Sequence, residues 1–349
     1  MPAHRKHHPY VRRLTAIGLL FSLSLVAGCS AKSLDDTPAA IAPAQPAQSP
    51  PLSQAPAGTV RPLNGRPHTA IFDGRTAQLM VVTPGSTPSA PASLTLFGPQ
   101  QTSQRVVDLP GPATGLTGDN RGTAYLSTRG GYFVVDLSAG RAVRVSVGDA
   151  ANAEFTAITR PSDGTVVLGN ADGTLYTLTP GATDARRTRV HAHIDSLAAQ
   201  GNTIVVLDRG QTSVTTVGTD GKVGQSLRAG LGATTMVADP AGRLLVTDTR
   251  GGQLLAFGVD PLILRQAYPV AQSPYGVVGS RGLAWVSQTS ANIVIGYDLS
   301  TGIPLEKVRY PTVRQPDTLA FDDAAGTLYV VSGDGGGVQV IEHAATGRR

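Results

Sequence analysis

The chain has 349 residues, 41% of them apolar and 15% charged, with 41 Gly, 25 Pro and one Cys, which excludes a disordered chain, a disulfide-stapled mini-protein and a cysteine-ligated zinc domain. Its formal charge of +5 is concentrated at the start: Arg5, Lys6, Arg12 and Arg13 lie in the first 28 residues, which hold no acid, and the remainder carries 25 basic against 24 acidic residues. The basic footprint needed to bind a phosphate backbone is therefore missing, and no nucleic-acid partner is expected.

Residues 1–28 read as a secretory signal, a basic stretch ending at Arg12-Arg13 followed by an uncharged run from Leu14 to Gly28. That run is too short to span a bilayer as a permanent helix. It ends in Leu25-Val26-Ala27-Gly28-Cys29, small residues before a cysteine, and resembles the bacterial lipobox. The resemblance implies that Cys29 is lipidated, becomes the new N-terminus and holds the protein on the outer face of the cytoplasmic membrane. Since Cys29 is the only cysteine, none remains downstream for disulfides, metal binding or catalysis. Residues 29–58 then form the lipidated start and a Pro/Ala-rich stretch. Six of the 22 residues from Thr37 to Gly58 are proline and seven are alanine, the composition of an extended, flexible tether that buries little.

Residues 59–349 are expected to fold as one all-β domain. Short runs rich in Val, Leu, Ile and Thr alternate with Gly, Asp and Asn turns, and no helical period persists. An apolar anchor recurs at Ile71, Leu116, Ile158, Leu197, Met236, Val277 and Leu319, in steps of 45, 42, 39, 39, 41 and 42 residues. Each anchor precedes a turn and a strand apolar on both faces, such as Ile204-Val205-Val206-Leu207, as expected of a strand covered from both sides. Four strands in about 40 residues is the arithmetic of a propeller blade, and seven such units make a seven-bladed β-propeller, with six or eight blades or a two-domain split as the other readings. The seventh unit lacks a fourth strand. Residues Gly58 to Leu63 are expected to supply it and so close the ring.

Ala284-Trp285-Val286-Ser287 with Tyr297-Asp298-Leu299, and Leu328-Tyr329-Val330-Val331 in the last unit, resemble YVTN-type repeats. Gly242-Arg243-Leu244-Leu245-Val246-Thr247-Asp248 resembles an NHL repeat. The stretches Leu207-Asp208-Arg209-Gly210-Gln211-Thr212, Val259-Asp260-Pro261-Leu262-Ile263-Leu264 and Glu306-Lys307-Val308-Arg309-Tyr310-Pro311 are similar to the actinobacterial LppL-type surface lipoproteins. The resemblance implies a lipid-anchored envelope propeller and carries no activity with it.

One residue before each anchor stand Ala70, Gly115, Ala157, Ser196, Thr235, Gly276 and Thr318, all small. Two before stand Thr69, Thr114, Thr156, Asp195, Thr234, Tyr275 and Asp317, all hydrogen-bonding. If the anchors are equivalent, the second set rings one mouth of the central channel, bonding to neighbouring blades or forming a site. The departures from threonine, Asp195, Tyr275 and Asp317, are the candidate ligand-binding residues, with His68 beside them as a possible base or cation ligand. His191 and His193 are placed on an outer strand as surface residues. Asp208, Asp239, Asp248 and Asp322 fall at turns, where Asp commonly bonds backbone. No P-loop, nucleophile elbow or EF-hand loop occurs.

The expected function is that of a non-catalytic binding or scaffold module in the cell envelope. Its partners would be the lipid bilayer, through Cys29, and an envelope protein or glycan. The alternative is a metal-assisted hydrolase or lyase, lactonase-like, with its site at the channel mouth. No cofactor, catalytic residue or metal ligand is expected; a divalent cation belongs only to the alternative.

Overall fold

The computed structural model describes residues 40–98, 104–190 and 193–347; the signal segment, Cys29 and His191 lie outside the described residues. Seven antiparallel four-stranded sheets follow one another along the chain, spanning residues 69–108, 116–146, 155–189, 196–228, 233–269, 274–311 and 316–341. The sheets are the seven expected blades, each beginning with an inner strand that contains one of the anchors.

Second strands are buried end to end, as in Val166–Asn170, Leu244–Asp248 and Ala284–Gln288. Their side chains alternate between the two adjoining blades. Val205 packs toward blade five and Val206 toward blade three, so one strand feeds two interfaces. Seven apolar clusters result, one at each junction between blades, including the junction of blade seven with blade one. Trp285, fully buried, anchors the interface of blades six and seven and stacks on Phe321 at 5.7 Å. Outer strands are polar and exposed, as in Arg186–Arg189.

Blade seven is completed by Thr59–Arg61, which pairs antiparallel with Val338–Ile341 through Thr59 opposite Val340, Val60 opposite Gln339 and Arg61 opposite Val338. Leu63 follows into the cluster between blades seven and one. The ring therefore closes with strands from the two ends of the propeller domain, and Val338–Ile341 is paired on both sides like the third strand of the other blades.

The Pro/Ala-rich stretch departs from the flexible tether read in the sequence. Residues 40–58 have no regular secondary structure other than bends, as their prolines require. Yet residues 41–50 lie against the propeller as a strap over blades four to seven, held by hydrogen bonds from loop side chains to the strap's main chain. Of its own residues, Ala44 and Ser49 are buried against the propeller. Composition reports that a segment cannot fold alone; it is silent on a groove elsewhere in the chain that receives it.

Candidate functional site

The inner strands enclose a channel of about 720 Å³, and all seven residues two before the anchors line it. The small residues one before the anchors have a steric cause. A Cβ on Gly276 would fall 2.9 Å from the Asp317 carbonyl oxygen, and one on Gly115 3.2 Å from Ala157 Cα, so each blade's backbone sits directly against the next.

In blades three, five and seven the ring residue is the extra residue of a β-bulge. Thr156, Thr234 and Asp317 have no partner in the adjacent strand's register, and in blade six Tyr275 and Gly276 interrupt the ladder together. A bulge re-aims its side chain out of the alternating pattern, which turns these groups toward the channel mouth.

Two of the ring threonines link blades. Thr114 Oγ1 donates to the Phe155 carbonyl of blade three, and Thr156 Oγ1 to the Ile194 carbonyl leading into blade four. In blade five the link passes through the second strand: Thr247 Oγ1 donates to the Tyr275 carbonyl at 2.7 Å and Thr249 Oγ1 to that of Pro274 at 2.6 Å. The turn carboxylates act within a blade, tying the end of its second strand to its own turn and to the connection that enters it. Asp248 accepts from Leu231, Gly232 and Gly251 amides at 2.8 Å, and Asp208 from Gln211 at 2.7 Å and His193 at 2.8 Å.

The three departures from threonine lie in blades four, six and seven. Asp195 accepts from the Arg209 amide at 2.8 Å and lies 3.3 Å from His193 Nδ1. His193 thus belongs to the connection entering blade four, beside the mouth, and not to an outer strand; the outer strand of blade three ends earlier, at Arg189. Asp317 accepts from Gln315 Nε2 at 3.0 Å. Burial, reinforced by the negative charge of Asp334, pushes its carboxyl up to about 6 against that hydrogen bond. Burial also raises the Tyr275 hydroxyl; the Arg209 charge opposes this and Asp317 adds to it, so the three groups share one field. His68 stands at the mouth but turns its ring to blade two, with Nε2 3.3 Å from the Thr114 carbonyl. Desolvation by the crowded channel walls lowers its pKa, while part of the residue stays exposed at the mouth. His68 and Asp317 therefore share a mouth while holding different partners.

Two residues that the alignment of inner strands passed over complete the arc. Arg209, at the end of a second strand, lines the channel and donates through Nη2 to the Ala44 carbonyl of the strap, while its Nε is buried without a partner. Gln315, in the left-handed region at φ 51°, bonds Asp317, the Ala47 carbonyl at 3.2 Å and both backbone and side chain of Ser49. Each mouth carboxylate is thus held by a residue that also holds the strap. The opposite end of the channel is mainly apolar, with Phe72, Val278 and Phe321, and also carries Arg160. Among the described residues no three His, Cys, Asp or Glu side chains gather where a metal ion could be held.

No family model and no curated protein sequence matches this chain. Among solved structures it is similar to a streptogramin B lyase, with a TM-score of 0.66 and 11% identity over 82% of this chain and 97% of that one. It is also similar to a chain of the Kuenenia stuttgartiensis hydrazine synthase, with a TM-score of 0.64 and 13% identity over 84% and 100%. A chain of the mitotic checkpoint complex gives a TM-score of 0.67 and 10% identity over 85% and 95%. At such identities the likeness is one of fold, and neighbours this diverse carry no chemistry to the mouth.

Proposed function

We propose that the protein is a lipid-anchored, extracytoplasmic binding module of the cell envelope, of the LppL type, whose ligand-contacting surface is the polar mouth of the propeller. The lipobox ending at Cys29 and the three similar stretches support the anchoring and the kinship. One observation carries the binding surface: the ring's departures from threonine do not scatter but gather with Arg209 in blades four to seven. There a carboxyl, a phenol and a guanidinium face one cavity. Thr114 and Thr156 in blades two and three spend their hydroxyls on the next blade, whereas blades four, six and seven place Asp195, Tyr275 and Asp317 at the same position. Its chemistry suits an uncharged or zwitterionic polar partner, such as a glycan or a peptide segment, hydrogen-bonded by both donors and acceptors.

The test is saturable binding of the purified protein to an isolated envelope fraction, compared with a Tyr275→Phe, Asp317→Asn double variant. Binding is expected to fall at least about tenfold, the equivalent of one or two lost hydrogen bonds. Unchanged binding by a folded double variant would overturn the assignment of the mouth. Cys29→Ala, followed by fractionation, tests the anchor separately: the variant is expected to leave the membrane fraction or to accumulate unprocessed.

A further inference from the structure

The face that carries the polar mouth also holds a groove shaped for a peptide. Its resident, residues 41–50, forms no strand pairs and is gripped almost wholly by its main chain. Ile41 N donates to the Gly210 carbonyl at 2.9 Å and Ala47 N to Ser273 Oγ at 3.0 Å. Arg250 Nη2 reaches the Ala42 carbonyl at 2.7 Å, and Asn292 Nδ2 the Pro50 carbonyl at 2.9 Å. Gln315 pairs with Ser49 and Ala47. Only Ala44 and Ser49 are buried, so the groove reads an extended backbone with small residues at two places five apart.

The segment that joins the strap to the closing strand is different. Residues 51–55 are all exposed, and Pro50-Pro51 keep the chain extended there. An occupant recognised by its main chain and joined through an exposed connector satisfies the groove equally from its own chain or from another. We propose that the groove accepts residues 41–50 of a second copy of this chain, so that neighbouring copies exchange straps. Every contact of the closed form is reproduced in the exchanged form, which is why such exchange is a low-cost route to association. The strap in its own chain competes at an effective concentration on the order of millimolar. Exchange is therefore favoured where copies fold close together. The inference does not rest on a ligand at the mouth.

The experiment co-expresses two full-length copies, one carrying Ala47→Cys and the other Ser273→Cys, with the doubly substituted chain as control for geometry. Proteolytic mapping is expected to recover a 47–273 disulfide joining two chains. Its yield is expected to fall about tenfold when the receiving copy also carries Gln315→Ala, which removes the side-chain bonds to the Ser49 amide and the Ala47 carbonyl and leaves the Gln315 backbone amide on Ser49 Oγ. Closure within the doubly substituted control, with no interchain bridge between the co-expressed single variants, overturns the proposal. Should the control fail to close, copies bearing two different tags give the same reading without cysteines. Co-purification that disappears with Gln315→Ala supports exchange; its absence, or its persistence in that variant, overturns it.

Discussion

Ser49 and Gln315, 266 positions apart, are bonded to each other twice: Ser49 N donates to Gln315 Oε1 at 3.0 Å, and Gln315 N donates to Ser49 Oγ at 2.8 Å. The same Ser49 hydroxyl donates to the Thr289 carbonyl at 2.6 Å. The pair fixes the strap to blade seven and holds Gln315 in a left-handed backbone conformation that a non-glycine residue adopts at a cost of about 1 kcal/mol or more. Ser49→Ala leaves the Gln315 amide and the Thr289 carbonyl without this partner and is expected to cost about 1–3 kcal/mol in denaturant unfolding. Gln48→Ala, at an exposed neighbouring position, is expected to change stability by less than about 0.5 kcal/mol.

Asp317 supplies a pH signature. Its carboxyl is raised by burial to about 6 in the folded protein, against an ordinary value of 3.8. The folded state therefore prefers the protonated form, and the associated stability is present below pH 3.8 and lost as the pH rises through 6. Asp317→Asn mimics the protonated group and keeps an acceptor for Gln315. Allowing for partial exposure, it is expected to stabilise the protein by about 1–2 kcal/mol at pH 7.5 and by little at pH 4. Melting curves of both proteins at the two pH values check the sign and the crossover.

Blade packing is tested at glycine. A Cβ on Gly276 would lie 2.9 Å from both the Asp317 carbonyl oxygen and Ser287 Oγ, whereas one on Gly282 meets nothing within 4 Å. Gly276→Ala is expected to cost about 1–3 kcal/mol by overpacking the interface of blades six and seven. Gly282→Ala is expected to be neutral in the same unfolding measurement.

These residues also show how far the sequence could be read. The seven anchors, the small residues before them and the closing strand follow from period and spacing, because each blade repeats the same steric problem. Asp195, Tyr275 and Asp317 emerge from the same alignment as breaks in a pattern. Arg209, Gln315 and His193 do not. They sit outside the inner strands, on a second-strand end and on two connections, and reach the mouth only through tertiary placement. The bulges at Thr156, Thr234 and Asp317 leave no local signature, since an extra residue in one strand is defined by its neighbour's register. The seating of the strap is hidden for a related reason: apart from the Ser49 hydroxyl its polar contacts are made by its backbone, which every sequence possesses.

Ring closure separates the closing strand from the strap. A chain beginning at residue 52 loses the strap, and one beginning at residue 64 also loses Thr59–Arg61, the bond from Gln339 Nε2 to the Ala57 carbonyl at 2.8 Å and buried Leu63. The shorter chain is expected to be less stable than the longer by about 3 kcal/mol or more, from unpaired ladder groups and exposed apolar surface. Equal melting of the two chains would show that the closing strand contributes nothing to the ring.

The assignment of the polar mouth as the ligand-contacting surface is tested most directly by photo-crosslinking in intact cells. A photoreactive side chain is placed at His68 or Thr114, both exposed on the blades the strap leaves uncovered, or at Arg281, exposed on the opposite face. The expected result is a discrete crosslinked product from His68 and Thr114 that weakens when Tyr275→Phe and Asp317→Asn are introduced, with no such product from Arg281. A product from Arg281 alone, or mouth products indifferent to Tyr275 and Asp317, would contradict it.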